Sequence, residues 1–91
     1  MFIEYADDFK KSIKKLKDVV ALKRLEVLVA KLESASSLEK ISNVVPVANH
    51  SSIYRIRTGN YRLIVEYKDG SITILLIEYL KRDENTYRKY N

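Results

Sequence analysis

Cysteine is absent from this chain of 91 residues, and histidine occurs once. The first absence excludes disulfides, thiolate zinc sites and a thiol nucleophile, and the second speaks against a histidine-based metal cluster. Only two glycines and one proline are present, so no flexible or proline-rich linker divides the chain. Internal repeats are missing too. No stretch approaches the roughly 20 apolar residues that span a bilayer, and residues 1–8 lack the basic and apolar regions of a signal peptide. The expectation is one cytoplasmic domain, residues 1–91, with a single hydrophobic core, no cofactor, no metal and no membrane partner.

What is present is charge and aliphatic bulk. Apolar residues make up 46% of the chain and charged residues 32%, the balance of an ordinary folded domain rather than a disordered one. Lys and Arg number 17 against 12 Asp and Glu, a net charge of +5. That excess favours anionic partners, nucleic acid or an acidic protein, without choosing between them.

Residues 2–5 fit a short strand. Residues 6–17 then read as a helix with Phe9, Ile13 and Leu16 on one side and Lys10, Lys11, Lys14, Lys15 and Lys17 on the rest. The lysine face is plain solvated surface or a sequence-blind phosphate contact. A second stripe, Leu22, Leu25, Val29 and Leu32, lies nearly opposite the first if the helix continues at about 100° per residue. One straight helix cannot bury both. The break belongs near Asp18, a good N-cap, which makes the segment a helical hairpin. Residues 34–52, with a Ser-rich start and Pro46, read as a connection in which Leu38, Ile41, Val44, Val45 and Val47 pack down. His50, near its end, reads first as a surface group.

The most informative run is Tyr54-Arg55-Ile56-Arg57-Thr58-Gly59-Asn60-Tyr61-Arg62. Gly59-Asn60 is a two-residue hairpin signal of the II′ kind, with glycine at the position of positive φ. The turn pairs Thr58 with Tyr61 and Arg57 with Arg62. Like charges placed directly opposite destabilise a hairpin, so folding alone does not explain that pair. Strand alternation adds Arg55 to the same face. Three convergent guanidinium groups suit one phosphate, bridged by charge-assisted hydrogen bonds; the plain alternative is a solvated basic face.

Residues 61–68 alternate again, and Asp69-Gly70 reads as a I′ turn into a strand over residues 71–80. A two-residue turn there sets Tyr67 against Ile72, Val65 against Ile74 and Leu63 against Leu76. The expected core face is thus Tyr54, Ile56, Leu63, Val65, Ile74 and Leu76, under the helices. On the other face Arg62 neighbours Ile77 and Arg55 lies across from Ile64, a partly apolar setting that strengthens attraction for phosphate. Residues 81–90 form a short basic and aromatic tail.

Strand, helical hairpin, antiparallel meander and basic tail together resemble the RelE/ParE superfamily of bacterial and archaeal toxins over essentially the whole chain. The segment YRIRTGNYRLIVEY is similar to the family's Tyr-basic-x-basic hairpin followed by Gly-x-Tyr-Arg, and KRDENTY is similar to its closing basic residues and tyrosine. The resemblance implies an α+β fold of RelE type, with an N-terminal strand, a helical hairpin, an antiparallel sheet packed on the helices and a short C-terminal tail. RelE-type members cleave mRNA in the ribosomal A site without metal and are neutralised by a co-encoded antitoxin, whereas ParE-type members poison DNA gyrase. The implied toxin would have the ribosome, mRNA and a cognate antitoxin as partners. Arg62 and Arg57 would stabilise the phosphorane, Arg82 the leaving oxygen, and Tyr87 would stack on a base or donate a hydrogen bond. Arg55 and Lys81 would bind RNA. Positions 55 and 57 are often lysine in RelE-type enzymes, and arginine cannot act as a base. Lys81, His50, Glu66 or a polarised 2′-hydroxyl without any protein base remain open for that role, and a noncatalytic binding domain of the same fold remains the third reading beside the ribonuclease and the gyrase inhibitor.

Overall fold

In the computed structural model, which describes residues 1–82, Asp18 separates α1 (Asp7–Lys15) from α2 (Val19–Ser34). Its carboxylate accepts the Ala21 N–H at 3.1 Å, so the break carries its own cap. α1 is shorter than its lysine pattern predicts: it buries Phe9, while Ile13 and Leu16 are half-buried. In α2 the fully buried stripe is Ala21, Leu25, Leu28 and Leu32. Leu22 and Val29, expected on that stripe, are only half-buried, and Ala21 and Leu28, one position before each of them, take the buried places.

Five strands form one sheet in the order β1-β5-β4-β3-β2, giving an α+β architecture. β1 (Phe2–Tyr5) runs parallel to β5 (Thr73–Lys81), and β4 (Tyr61–Glu66) separates β5 from β3 (Ile53–Thr58). The segment read as a connection contributes a 3-10 turn at Leu38–Lys40 and an edge strand, β2 (Val44–Pro46), antiparallel to β3. The meander is therefore flanked on both sides. Three residues, the last of them a proline, give β2 no alternation to detect.

The Gly59-Asn60 hairpin has the expected register, Thr58 opposite Tyr61 and Arg57 opposite Arg62. Gly59 has φ +61° while Asn60 stays negative, the φ pattern of a II′ turn. The second turn differs. Gly70 has φ +80° with Asp69 negative, the pattern of type II rather than I′, and type II turns splay the strands they join. Ser71 N–H still bonds Lys68 O at 2.9 Å, but the Ser71 hydroxyl then engages the Thr73 backbone at 3.1 Å, and Ile72 is left 65% exposed. Pairing resumes two residues late, with Val65 opposite Leu76 instead of Ile74. A further irregularity at Ile64/Val65 makes Ile77 the extra residue, so Leu63 faces Tyr79 instead of Leu76, and Arg62 faces Leu80 instead of standing beside Ile77.

The slip of two preserves face, so the core survives the change of partners. Ile56, Leu63, Val65, Ile74 and Leu76 are buried under the helices as expected, whereas Tyr54, nearer the β2 edge, is half-buried. Beyond the end of β1, α1 covers the free edge of β5: Tyr79 N–H donates to Ser12 Oγ at 3.2 Å, and that hydroxyl donates to Phe9 O at 2.7 Å. On the opposite face Val47, Ile64 and Leu80 form a second small cluster, joined by Ile53 and Ile77.

Candidate nucleic-acid interface

The hairpin register carries the site. Arg57 and Arg62 stand opposite each other at the last non-turn position but one, with Arg55 two residues back and opposite Ile64. The three side chains line a pocket of about 230 Å³ together with Asn43 and Val45 from the β2 side. Asn43 adopts φ 64° and its carbonyl accepts the Arg57 N–H at 3.2 Å, which ties the pocket wall to the arginine strand. Arg57 is exposed; Arg55 and Arg62 are half-buried and have contacts of their own. The Arg62 Nε atom is enclosed with no hydrogen-bond acceptor among the described residues. Ile64 and Leu80, both buried, form the apolar margin expected beside Arg62, although Leu80 replaces Ile77 there.

Arg82 joins this end of the sheet. Its N–H donates to Asn60 O at 2.7 Å, which extends the ladder past Lys81 and returns position 82 to the Arg62 face by alternation. Lys81, by the same alternation, lies opposite Tyr61 on the helix-covered side and lines a groove with Lys11, Lys15 and Lys17. Glu66 shares the arginine face but sits four positions along β4, about 13 Å away at the usual rise. His50 is exposed in the turn between β2 and β3, remote from the hairpin tip. Tyr87 lies outside the described residues. The arginines are brought together; the candidate bases are not.

Two residues were not visible from the sequence. Glu78 opposes Ile64, next to the arginine rows, because the extra residue Ile77 carries it across the sheet. The signal was a carboxylate at what unbroken alternation makes a core position. Arg24 projects from α2 onto the hairpin tip, where a Cβ at Gly59 would overlap its guanidinium. Beneath the tip Tyr61 stacks on Tyr79, ring centroids 5.0 Å apart, and the Tyr79 hydroxyl donates to Ala21 O at 2.9 Å. Burial foremost, then Tyr61 and, more weakly, Asp18, push the Tyr79 hydroxyl up to about 12, with Arg24 pulling the other way. No group of three His, Asp or Glu residues suited to a metal occurs among the described residues, and none of their helices is long and apolar enough to cross a membrane.

The family model described as the ParE toxin of type II toxin-antitoxin systems matches residues 3–85. The chain belongs to the RelE/ParE toxin superfamily. The fold of this toxin is similar to that of the RelB-RelE antitoxin-toxin complex from Methanococcus jannaschii, at 24% identity and TM-score 0.78, covering 97% of this chain and 99% of that one. It is also similar to the archaeal RelE-RelB complex from Pyrococcus horikoshii, at 18% identity and TM-score 0.70, covering 91% and 96%. The isolated E. coli RelE toxin is a third likeness, at 22% identity and TM-score 0.64, covering 97% and 92%. Comparison with curated proteins finds no match.

Proposed function

We propose that this toxin is a metal-independent endoribonuclease that cleaves mRNA in the ribosomal A site and so arrests translation in the cytoplasm. The observation that carries the reading is the direct opposition of Arg57 and Arg62, with Arg55 beside them around one pocket. That arrangement costs stability and yields a concentrated positive potential next to apolar side chains. Cleavage by the 2′-hydroxyl forms a bond from that oxygen to phosphorus and breaks the bond to the 5′-oxygen, the 2′-hydroxyl proton passing to solvent and the departing 5′-oxygen taking a proton from it. The phosphorane between them carries extra negative charge, which fixed guanidinium groups stabilise most where it grows. Arg62 takes that role, with Arg57 opposite it; Arg55 holds RNA, and Arg82 stabilises the departing 5′-oxygen.

No protein base is assigned. Glu66 and His50 are remote, Lys81 is on the other side of the tip, and the arginines stay protonated. Polarisation of the 2′-hydroxyl by the cationic pocket is the reading best supported. Tyr87, in a tail assigned to the same single domain, supplies stacking or a hydrogen bond to the nucleotide.

A cognate antitoxin completes the system, in keeping with the RelB-RelE complexes among the structural likenesses. The ParE description of the family model favours a second reading, gyrase inhibition. Primer extension on translated mRNA, beside a gyrase supercoiling assay, separates the two. A-site cleavage that falls about a hundredfold in Arg62→Ala and weakens in Tyr87→Phe supports the ribonuclease, and arrested supercoiling without cleavage replaces it with the second reading.

A further inference from the structure

The hairpin tip is cationic on both of its sides. On one side the row Arg57, Arg62, Leu80 is followed by Arg82; on the other, Thr58, Tyr61 and Lys81 form the adjacent row. Arg24 reaches the tip from α2 and, with Arg57, Thr58 and Gly59, lines the wide groove beside that helix. Between Thr58 and Lys81 in that row stands Tyr61, half-buried, with one ring face backed by Tyr79 and Tyr79 itself tethered to α2 through Ala21. Tyr61 also lines a groove of about 540 Å³, so its ring is rigidly supported and still reachable. The Arg24 guanidinium occupies the space where Gly59 would carry a side chain, and Gly59 and Asn60 are both exposed, so a strand crossing the end of the hairpin meets a cation there.

From this geometry we propose that the helix-covered side of the tip is a second RNA subsite. Tyr61 stacks on the nucleobase next to the cleaved bond, and Arg24 and Lys81 hold the phosphates on either side of it. The inference rests on the ribonuclease reading above and adds the path of the strand: it passes over Gly59-Asn60 from the arginine pocket to the tyrosine. A supported aromatic face flanked by cations is the usual construction for a single-stranded nucleotide, because stacking tolerates any base while the charges track the backbone. The carboxylates of the groove do not cancel this. Asp18 is engaged by the Ala21 N–H, Asp8 and Glu78 have contacts of their own, and Lys11, Lys15, Lys17 and Lys81 surround them. An acidic protein segment would use the same cations but would have no need of a tyrosine ring braced from behind.

The test is association of the full chain with ribosomes programmed with mRNA whose A-site 2′-hydroxyl at the cleavage point is replaced by hydrogen, so that binding is read without cleavage. Tyr61→Leu is expected to weaken binding about tenfold, within the range for loss of base–aromatic stacking, and Tyr61→Phe to leave it unchanged. An abasic nucleotide beside the blocked bond should cost the wild type the same factor and cost Tyr61→Leu nothing further. Arg24→Ala and Lys81→Ala should each reduce the salt dependence of binding by about one phosphate contact. Unchanged binding by all these variants, or additive losses from Tyr61→Leu and the abasic nucleotide, overturns the subsite while leaving the arginine pocket standing. Loss of binding to a co-expressed acidic partner in Arg24→Ala and Lys81→Ala, with RNA binding untouched, assigns the surface to that partner and also overturns it. Failure of the wild type both to bind these ribosomes and to cleave unblocked mRNA removes the ribonuclease reading and the subsite together.

Discussion

The two faces of the sheet are built to opposite rules. Under the helices Leu63, Val65, Ile74 and Leu76 lose all contact with water, and the buried Tyr79 hydroxyl beside them is hydrogen-bonded. Across the same strands, Ile64 and Leu80 are as well buried, yet the rows that contain them also place Arg55, Arg57 and Arg62 side by side. Close packing rewards the first face for each methylene it excludes from water. The second face is penalised for its like charges and keeps them. Residues one position apart in β4, Leu63 and Arg62, therefore serve stability and, on the proposed ribonuclease reading, chemistry separately.

That separation is sharpest when both are mutated. Leu63→Ala leaves a cavity in a fully buried site and should cost about 2–5 kcal/mol in urea unfolding. Arg62→Ala should leave the unfolding midpoint nearly unchanged while lowering A-site cleavage about a hundredfold, on the order of 3 kcal/mol of transition-state stabilisation. A collapse of stability in Arg62→Ala would break the comparison, since the arginine face would then be structural.

Tyr79 tests the helix-covered face from within. Tyr79→Phe removes the hydrogen bond to Ala21 O and should cost about 1 kcal/mol at neutral pH. Its alkaline signature is more particular. The hydroxyl is raised from 10.0 to about 12 in the folded state, so its contribution is fully present below pH 10 and is lost as pH rises toward 12, where the unfolded tyrosine has ionised and the folded one follows. The wild type should therefore lose stability between those values more steeply than Tyr79→Phe in parallel urea titrations. Parallel pH profiles would show that burial does not hold the proton. The smallest effect belongs to Arg57→Ala. Relief of the opposed charges should stabilise the chain by about 0.2–1 kcal/mol even as cleavage falls, and a loss of stability instead would mean the pair is satisfied within the fold.

Local chemistry made much of this legible. Asp18 announced the helix break through a capping side chain, and Gly59-Asn60 announced the hairpin through a backbone geometry that glycine permits. Because side chains alternate strictly on a strand, that one turn was enough to predict the opposition of Arg57 and Arg62. The same logic failed at Asp69-Gly70, where two turn types share one dipeptide and the Ser71 hydroxyl captured the Thr73 backbone before pairing began. β2 was missed because three residues carry no period, and its hydrogen bonds lie with a strand nearly ten residues onward.

By itself the sequence determined the helical hairpin, the first β-hairpin, the apolar face and the convergence of Arg55, Arg57 and Arg62, all of which follow from periodicity and turn chemistry within a few neighbouring residues. Tertiary structure alone decided that β1 lies parallel to β5, that Ile77 is the extra residue which sets Leu80 beside Arg62 and carries Glu78 across the sheet, and that Arg24 reaches Gly59. Those outcomes depend on how an entire helix layer settles on an entire sheet, a balance of packing between segments distant in the chain that no local pattern encodes.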